Sequence, residues 1–332
     1  MIKAQAKLHI GTDIPEELVT KVVAILAKRG SGKTYLAGRY KEEFVKAGIP
    51  TVTIDPMSAH WGIRTKYAII IFGGPKSDID IEPTDGALIG EVIVKENLTC
   101  LIDLGDMKKD DQRQFAADLW TTMYYYNKTP RHLIVEEADI FAPQRNKSDQ
   151  AKLSTIALDT VVRRGRQKGL GVTLITQRPA VITKDVISQA DVFFFMHMVD
   201  SNDIKVINEI MSNAGVSKEE KKGLLAKIIN FKPGEALLFS PTWMDTIKSF
   251  KVSKKESYHA GRTPMLGEDE LPDPTLLPVF KDDVIKALND LTNGTTEEGG
   301  TSSTSNTCDQ KTTFYLGLGL AMLFFTMMVL FL

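Results

Sequence analysis

The residues with the most specific chemical potential lie at positions 27–34, with the sequence Ala-Lys-Arg-Gly-Ser-Gly-Lys-Thr. Two glycines let the backbone turn successive N–H groups toward an anion. Lys33 could then reach the β- and γ-phosphates of a nucleoside triphosphate, and the Thr34 hydroxyl could bind Mg²⁺. The pattern predicts a phosphate-binding loop for ATP and Mg²⁺, although Ala27 stands where glycine is usual. Its expected nucleotide-binding residues are Arg29, Gly30, Ser31, Gly32, Lys33, Thr34 and Tyr35.

An ATP-hydrolysing site also needs carboxylates at the end of a neighbouring strand, and two apolar runs could supply them. The first run ends with Asp103 and Asp106, and the second ends with Glu136 and Glu137. The second is favoured because its acids are adjacent, so that one can face the magnesium while the other orients water. We expect Glu136 to bind the metal and Glu137 to act as general base. The alternative for Glu137 is a solvated acid at a strand end.

Polar residues further along the chain could complete the site. Gln177 ends another apolar run, where it could contact both the γ-phosphate and the attacking water, although such residues often only cap a strand. A basic cluster at 163–168 ends a predicted helix. Cations are favourable at any helix C-terminus. Alternatively, Arg164 or Arg166 could stabilise charge on the transferring phosphoryl group of a neighbouring subunit's ATP.

Strands and helices alternate along the chain in a way that can position these residues. Buried strands are expected at 22–26, 51–56, 67–72, 99–104, 133–137, 172–177, 192–198 and 235–240, and residues 1–11 also read as a strand. Helices are expected at 35–47, 85–95, 110–127, 153–168, 201–211 and 218–229. Continuous apolar strands separated by helices predict an α/β fold with a mostly parallel sheet covered on both faces.

The character of the chain changes after residue 262. A proline-rich segment with one helix occupies 263–292, and a Gly-, Ser- and Thr-rich flexible linker occupies 293–312. Residues 314–332 are nineteen residues without a charge, about 28 Å long as a helix. We therefore expect a single transmembrane helix at 313–332, with a buried core helix as the alternative. The ATPase domain would be anchored by this tail on the cytoplasmic side of a cellular or viral membrane.

Composition narrows the remaining possibilities. A net charge of −1 gives no global attraction to nucleic acid, so any DNA contact must come from local patches or from an assembled ring. Two distant cysteines, Cys100 and Cys308, suggest neither a disulfide framework nor a thiolate metal cluster. The basic run Lys248, Lys251, Lys254 and Lys255 could contact phosphates, but a solvated face is the preferred interpretation.

The motifs, taken in order, resemble those of the HerA/FtsK class of ring-forming P-loop ATPases. They include the stretches 27–34, 133–143, 164–169 and 176–179, with Asp55-Pro56, His60-Trp61-Gly62 and Ser201-Asn202-Asp203. The resemblance covers roughly residues 8–262 and extends to the HerA helicase core and to genome-packaging ATPases of membrane-containing viruses. It implies a RecA-like core, a homo-hexameric ring and ATP-driven movement of double-stranded DNA. Two departures are Glu136, where aspartate is usual, and Asp139, where histidine is common.

Three functional hypotheses follow. The first is a membrane-anchored ring motor that translocates double-stranded DNA. The second is a membrane-associated assembly or secretion ATPase that does not bind DNA, favoured by the apolar tail. The third is a nucleotide-dependent switch without useful turnover, suggested by Glu136.

Overall fold

The computed structural model of the chain describes residues 7–261 and 274–294. Its strands are β1 Lys7–His9, β2 Asp13–Pro15, β3 Val22–Leu26, β4 Thr51–Asp55, β5 Ile70–Phe72, β6 Cys100–Asp103, β7 Arg131–Val135, β8 Leu170–Thr176, β9 Val192–Phe195, β10 Glu235–Ser240 and β11 Thr246–Lys251. Its helices are α1 Lys33–Lys46, α2 Gly86–Lys95, α3 Lys109–Tyr126, α4 Asp149–Arg164, α5 Lys184–Ile187, α6 Ser201–Asn213, α7 Lys218–Asn230 and α8 Asp282–Gly294. A first compact unit ends at Asn289, and of the second, Asp290–Leu332, only the end of α8 is described.

A nine-stranded sheet in the order β11-β10-β9-β3-β8-β7-β4-β6-β5 forms the centre of the first unit. The strands from β9 to β5 in this order are parallel, and β10 and β11 add an antiparallel hairpin at one edge. The carboxyl ends of all the parallel strands therefore lie at the same end of the sheet, where the loop after β3 begins. The sheet confirms the predicted mostly parallel α/β architecture.

The strand order also determines which face each helix covers. The chain moves in one direction along the sheet from β3 to β4, and in the opposite direction from β5 through β6 and β7 to β8. Because crossovers between parallel strands are right-handed, α1 lies on one face and α2, α3 and α4 on the other. The core on the α1 side includes Leu36, Tyr40 and Phe44, which recur every four residues and so share one face of the helix.

Local differences from the predicted elements have simple physical causes. β7 ends at Val135, so Glu136 and Glu137 follow the strand instead of closing it. β11 was not predicted, because its lysines are more typical of a solvated segment than of a strand. It is an edge strand, and Phe250 is its one buried residue. The prediction that Lys255 is solvated is wrong, since this residue is 8% exposed.

The predicted tail lies outside the described residues. The linker beyond α8 and the transmembrane helix at 313–332 are not part of the described set, and neither are the predicted domain limits at 262 and 312. Within residues 7–261 and 274–294, no helix is both long enough and apolar enough to cross a membrane. The tail anchor and the domain limits therefore stay predictions.

Candidate nucleotide-binding site

The loop after β3 starts between two neighbouring strands that hold it on both sides. The N–H of Ala27 donates to the carbonyl of Thr176 at the end of β8, with an N···O distance of 3.2 Å. The N–H of Lys28 donates to the carbonyl of His197, just beyond β9, at 2.9 Å. The start of the loop is thus an extension of the sheet, and its tip, which includes Arg29, projects into solvent.

The two glycines give the loop the backbone shape that an anion site needs. Gly30 and Gly32 have φ angles of +82° and +96°, in the left-handed region that favours glycine. A Cβ at Gly32 would also meet the backbone of Gly234 at 3.1 Å. Gly32 caps α1 without any side-chain hydrogen bond, so the first N–H groups of the helix are left for another acceptor. Phosphate oxygens fit this arrangement.

Lys33, Glu137 and Gln177 meet at the mouth of the loop. The Lys33 ammonium forms an ion pair with Oε1 of Glu137, and both side chains are largely buried. Gln177 donates from Nε2 to the other oxygen of Glu137 over 3.3 Å. The three residues come from α1, the turn after β7 and the end of β8. They meet because these parallel strands end at the same edge of the sheet.

Glu137 occupies a strained backbone position. Its φ of +45° is rare for a residue with a side chain, and such strain concentrates at functional sites. The turn aims the carboxylate back toward the loop. Burial raises the pKa of Glu137, although Lys33 opposes this shift. A buried carboxylate with a raised pKa, held by a lysine and an amide, can accept a proton from water.

Glu136, the preceding residue, has different partners. Its Oε1 lies 2.6 Å from Nε2 of His60 and 3.4 Å from Nζ of Lys41, and all three side chains are almost fully buried. Burial alone would raise the pKa of Glu136, but His60 and Lys41 together hold that pKa well below its usual range. The loop that carries His60 is itself fixed by Asp55, which accepts the His60 N–H at 2.8 Å.

The residues predicted to bind magnesium are Thr34 and Glu136. Thr34 is half-buried, on the first turn of α1, and Glu136, whose pKa is lowered by His60 and Lys41, lies between α1 and the loop after β4. In the described residues, no group of three or more acidic, histidine or cysteine side chains could hold a metal by itself. Mg²⁺ commonly takes only one or two protein ligands, with phosphate oxygens and water completing its shell. The magnesium roles of Thr34 and Glu136 stay predictions.

The alternative acid, Asp103, is placed further along the sheet. It ends β6, which is separated from β7 by β4. Its Oδ1 accepts hydrogen bonds from the Ser58 hydroxyl at 2.8 Å and from the Gly105 N–H at 2.9 Å. Burial raises its pKa to about 6. Of the two strand ends weighed from the sequence, the structure brings only that of β7 to Lys33.

Arg164 and Arg166 lie near the amino-terminal ends of the parallel strands, whereas Lys33 lies near their carboxyl ends. They end α4 and begin the short 3-10 helix Gly165–Lys168, directly before β8 starts at Leu170. The seven residues of β8 span the distance from this end of the strands to Thr176, about 23 Å. Both side chains are exposed, whereas Arg163 is engaged by Asp159 at 2.7 Å. Neither Arg164 nor Arg166 can reach the site of its own chain, so any catalytic role requires a neighbouring copy.

Several residues around the site were not identified from the sequence. Lys41 lies eight residues after Lys33, just over two helical turns, so the spacing of the two lysines was the available signal for a shared face. His60 was placed in a motif but given no role. Residues 252–261, which approach Thr34 and Tyr35, carry no local pattern that predicts this position.

Comparison with known proteins identifies a family for this chain. The family model described as the central domain of the helicase HerA matches residues 2–254. The DNA double-strand break repair helicase HerA of Pyrococcus furiosus is 27% identical over 131 residues, which cover 40% of this chain and 22% of that protein. The curated relatives are much longer, and the matched stretch covers at most 32% of the length of the four that match.

Solved structures with the same fold include proteins from a virus and from a bacterium. The genome packaging NTPase B204 of Sulfolobus turreted icosahedral virus 2, in complex with ATP-gammaS, aligns with a TM-score of 0.50 and 19% identity, over 71% of this chain and 99% of that one. VirB4 of Thermoanaerobacter pseudethanolicus aligns with a TM-score of 0.54 and 13% identity, over 76% and 97%. At these identities the likeness establishes the fold.

Proposed function

The chain belongs to the family of the HerA helicase central domain, and from this premise we propose that it is an ATPase whose turnover drives the translocation of double-stranded DNA. One observation carries the ATPase part: Lys33, Glu137 and Gln177 meet at the mouth of a loop whose backbone suits phosphates. In this proposal Gly30 to Thr34 hold the phosphates, and Lys33 neutralises charge at their γ end. Glu137 accepts the proton of the attacking water, and Gln177 orients that water. ATP supplies the phosphoryl group, and Mg²⁺ would be held by Thr34 and Glu136.

The DNA part of the proposal is supported by the relatives. One relative is described as a DNA double-strand break repair helicase, and one fold neighbour as a genome packaging NTPase. The near-zero net charge of the chain means that phosphate contacts would come from local clusters of lysine and arginine. We propose a homo-hexameric ring in which an exposed Arg164 or Arg166 of one copy acts at the ATP of the next. The position of both arginines, at the edge of the sheet away from their own loop, supports this division.

Anchoring to a membrane through residues 313–332 is also part of the proposal. Its support is the uncharged run of nineteen residues, long enough to span a bilayer. The ATPase unit would then work on the cytoplasmic side of a cellular or viral membrane.

ATP turnover by the purified full-length chain, measured as phosphate release with and without duplex DNA, tests the proposal. We expect turnover that rises with duplex DNA, with a stimulation that falls steeply as salt increases. Glu137→Gln should lower turnover at least a hundredfold, because it removes the base without changing the size of the side chain. Glu96→Gln, which changes an exposed glutamate at the end of α2, is the matched control and should keep wild-type turnover.

The uncharged tail favours one further candidate, a membrane assembly or secretion ATPase that does not grip DNA. The same assay separates the two functions. Turnover that Glu137→Gln abolishes but that no form of DNA stimulates would favour the assembly ATPase. An absence of turnover in the wild-type chain would instead favour a nucleotide-dependent switch.

A further inference from the structure

After β11, the chain crosses the outer face of α1 as an extended segment, residues 252–261, which we call the strap. A buried acid, Glu42, holds it in place by accepting the N–H of Glu256 at 3.0 Å and both the N–H and the hydroxyl of Ser257 at 2.7 Å. The buried Lys255 ammonium donates to the carbonyl of Tyr258 at 2.9 Å. These contacts involve fully or partly buried groups, and they hold the strap against α1.

The strap ends beside the first turn of α1. The hydroxyl of Tyr35 accepts the N–H of Lys255 at 2.7 Å, and the ring of His259 packs edge-to-face on the Tyr35 ring with centroids 5.6 Å apart. Gly261 passes so close to this turn that an added Cβ would lie 3.1 Å from the Thr34 methyl group. The strap thus forms a wall next to the two residues that directly follow Lys33.

His259 has unused hydrogen-bonding capacity in this wall. Its Nδ1 is buried and has no hydrogen-bond partner in the structure. Burial, together with nearby Lys255 and His60, lowers the pKa of His259 to about 4, so the ring is neutral at pH 7. A neutral imidazole offers one N–H donor and one bare nitrogen acceptor. Buried polar atoms without a partner are rare, and a missing ligand or water is a common reason for them.

The direction of a bound nucleotide relates this wall to the proposed function. With the γ-phosphate against the Lys33 ammonium and Glu137, the β- and α-phosphates lie against the first N–H groups of α1. The nucleoside must then leave the loop next to Thr34 and Tyr35. This is the place where the Tyr35 and His259 rings pair edge-to-face, with the buried, unpartnered Nδ1 of His259 in the same wall.

We propose that His259 and Tyr35, joined through the strap, form the subsite that binds the nucleoside of the bound nucleotide. The inference rests on the proposed function, since it assumes a nucleoside triphosphate in the phosphate loop. In this subsite, the rings of both residues pack against the base or ribose, and His259 exchanges a hydrogen bond with a ring nitrogen or a ribose hydroxyl. The phosphates remain the task of the loop.

The test compares two ligands that share a triphosphate but differ in the nucleoside. Binding of ATP and of inorganic triphosphate is measured by calorimetry on the full-length chain in detergent, with Mg²⁺ present. We expect His259→Ala to weaken ATP about tenfold, the equivalent of roughly 1.4 kcal/mol, and to leave inorganic triphosphate within twofold of wild type. His259→Phe, which keeps an aromatic ring against Tyr35, should retain part of the ATP affinity and guards against a folding defect.

A matched control is His9→Ala, because His9 is a well-exposed histidine on β1. It should bind both ligands as the wild-type chain does. An equal loss of both ligands in His259→Ala, no loss of either, or a wild-type chain that binds inorganic triphosphate as tightly as ATP would overturn the subsite and leave the phosphate loop intact. A wild-type chain that binds neither ligand would overturn the proposed function, and the subsite with it.

Discussion

Replacing Lys41 with methionine tests the electrostatics of the site most directly. Lys41 and His60 both contact Oε1 of Glu136, at 3.4 Å and 2.6 Å, in surroundings where no side chain of the three is more than 5% exposed. Removing one partner of a buried ion pair leaves the other charge desolvated, which costs about 3–5 kcal/mol. We expect Lys41→Met to lie near the lower end, about 3 kcal/mol, because His60 still contacts the carboxylate.

Thermal unfolding of the full-length chain measures this loss. For a domain of this size about 1 kcal/mol shifts the melting temperature by roughly 2–4 °C, so about 3 kcal/mol predicts a decrease of roughly 6–12 °C. The pKa of Glu136 is lower in the folded protein than in the unfolded chain. The ionised carboxylate therefore adds to the free energy of unfolding above the ordinary glutamate pKa of 4.5, and this gain is lost as the pH falls below 4.5. The difference between Lys41→Met and wild type should therefore shrink in acid.

Two further variants decide whether the loss belongs to the ion pair. Adding Glu136→Gln to Lys41→Met removes the unpaired charge, so the double variant should be more stable than the sum of the single losses predicts. Lys152→Met, in an exposed position on α4, should change the melting temperature little. A Lys41→Met chain with the melting temperature of the wild type, or a double variant with strictly additive losses, would show that Lys41 and Glu136 are not energetically coupled.

Three other properties can be predicted from the described residues. Gly62→Ala should lower the melting temperature, because the added Cβ overlaps the carbonyl oxygen of Tyr258. Gly223→Ala, in open space on α7, should raise the melting temperature, because the helix propensity of alanine adds about 1 kcal/mol of stability. Equal shifts of the two variants in melting scans would contradict this contrast. Burial lowers the pKa of His132 to about 4, so between pH 6.5 and pH 4 the unfolded chain binds a proton that the folded protein does not. The free energy of unfolding should therefore fall by roughly 3 kcal/mol as the pH decreases from 6.5 to 4. His132→Asn should make the melting temperature depend less steeply on pH in this range. Burial raises the pKa of Glu137, so the acid limb of ATP turnover should lie above pH 4.5, and a limb at or below that value would argue against Glu137 as the base.

Much of this site could be predicted because its parts have local signals. The phosphate loop is a contiguous pattern, and the apolar runs before Glu137 and Gln177 predict parallel strands that end at one edge of the sheet. Since the loop begins at the same end of the strands, both side chains had to lie close to Lys33. The exact end of β7 was less predictable, because the left-handed turn at Glu137 has no signal in the types of its neighbours.

Contacts across long sequence separations could not be predicted in this way. The ion pair between Lys41 and Glu136 depends on how α1 lies over the sheet, which no local pattern specifies. The strap is a stronger example, since Glu42 and Ser257 are 215 residues apart and neither belongs to a motif. The basic composition of 248–255 even pointed the wrong way for Lys255, whose ammonium is buried and bonded to a backbone carbonyl.

The length of the glutamate side chain at position 136 explains the departure from the aspartate that is usual there. The carboxylate must reach two partners on different elements, Lys41 on α1 and His60 in the loop after β4. An aspartate is shorter by one carbon–carbon bond, about 1.5 Å, so the 2.6 Å contact with His60 would open to about 4 Å, beyond hydrogen-bonding distance. The two acids after β7 therefore have separate partners. Glu136 is fixed by two basic side chains, whereas Glu137 is turned by its backbone toward Lys33 and Gln177, the position that its proposed role in activating water requires.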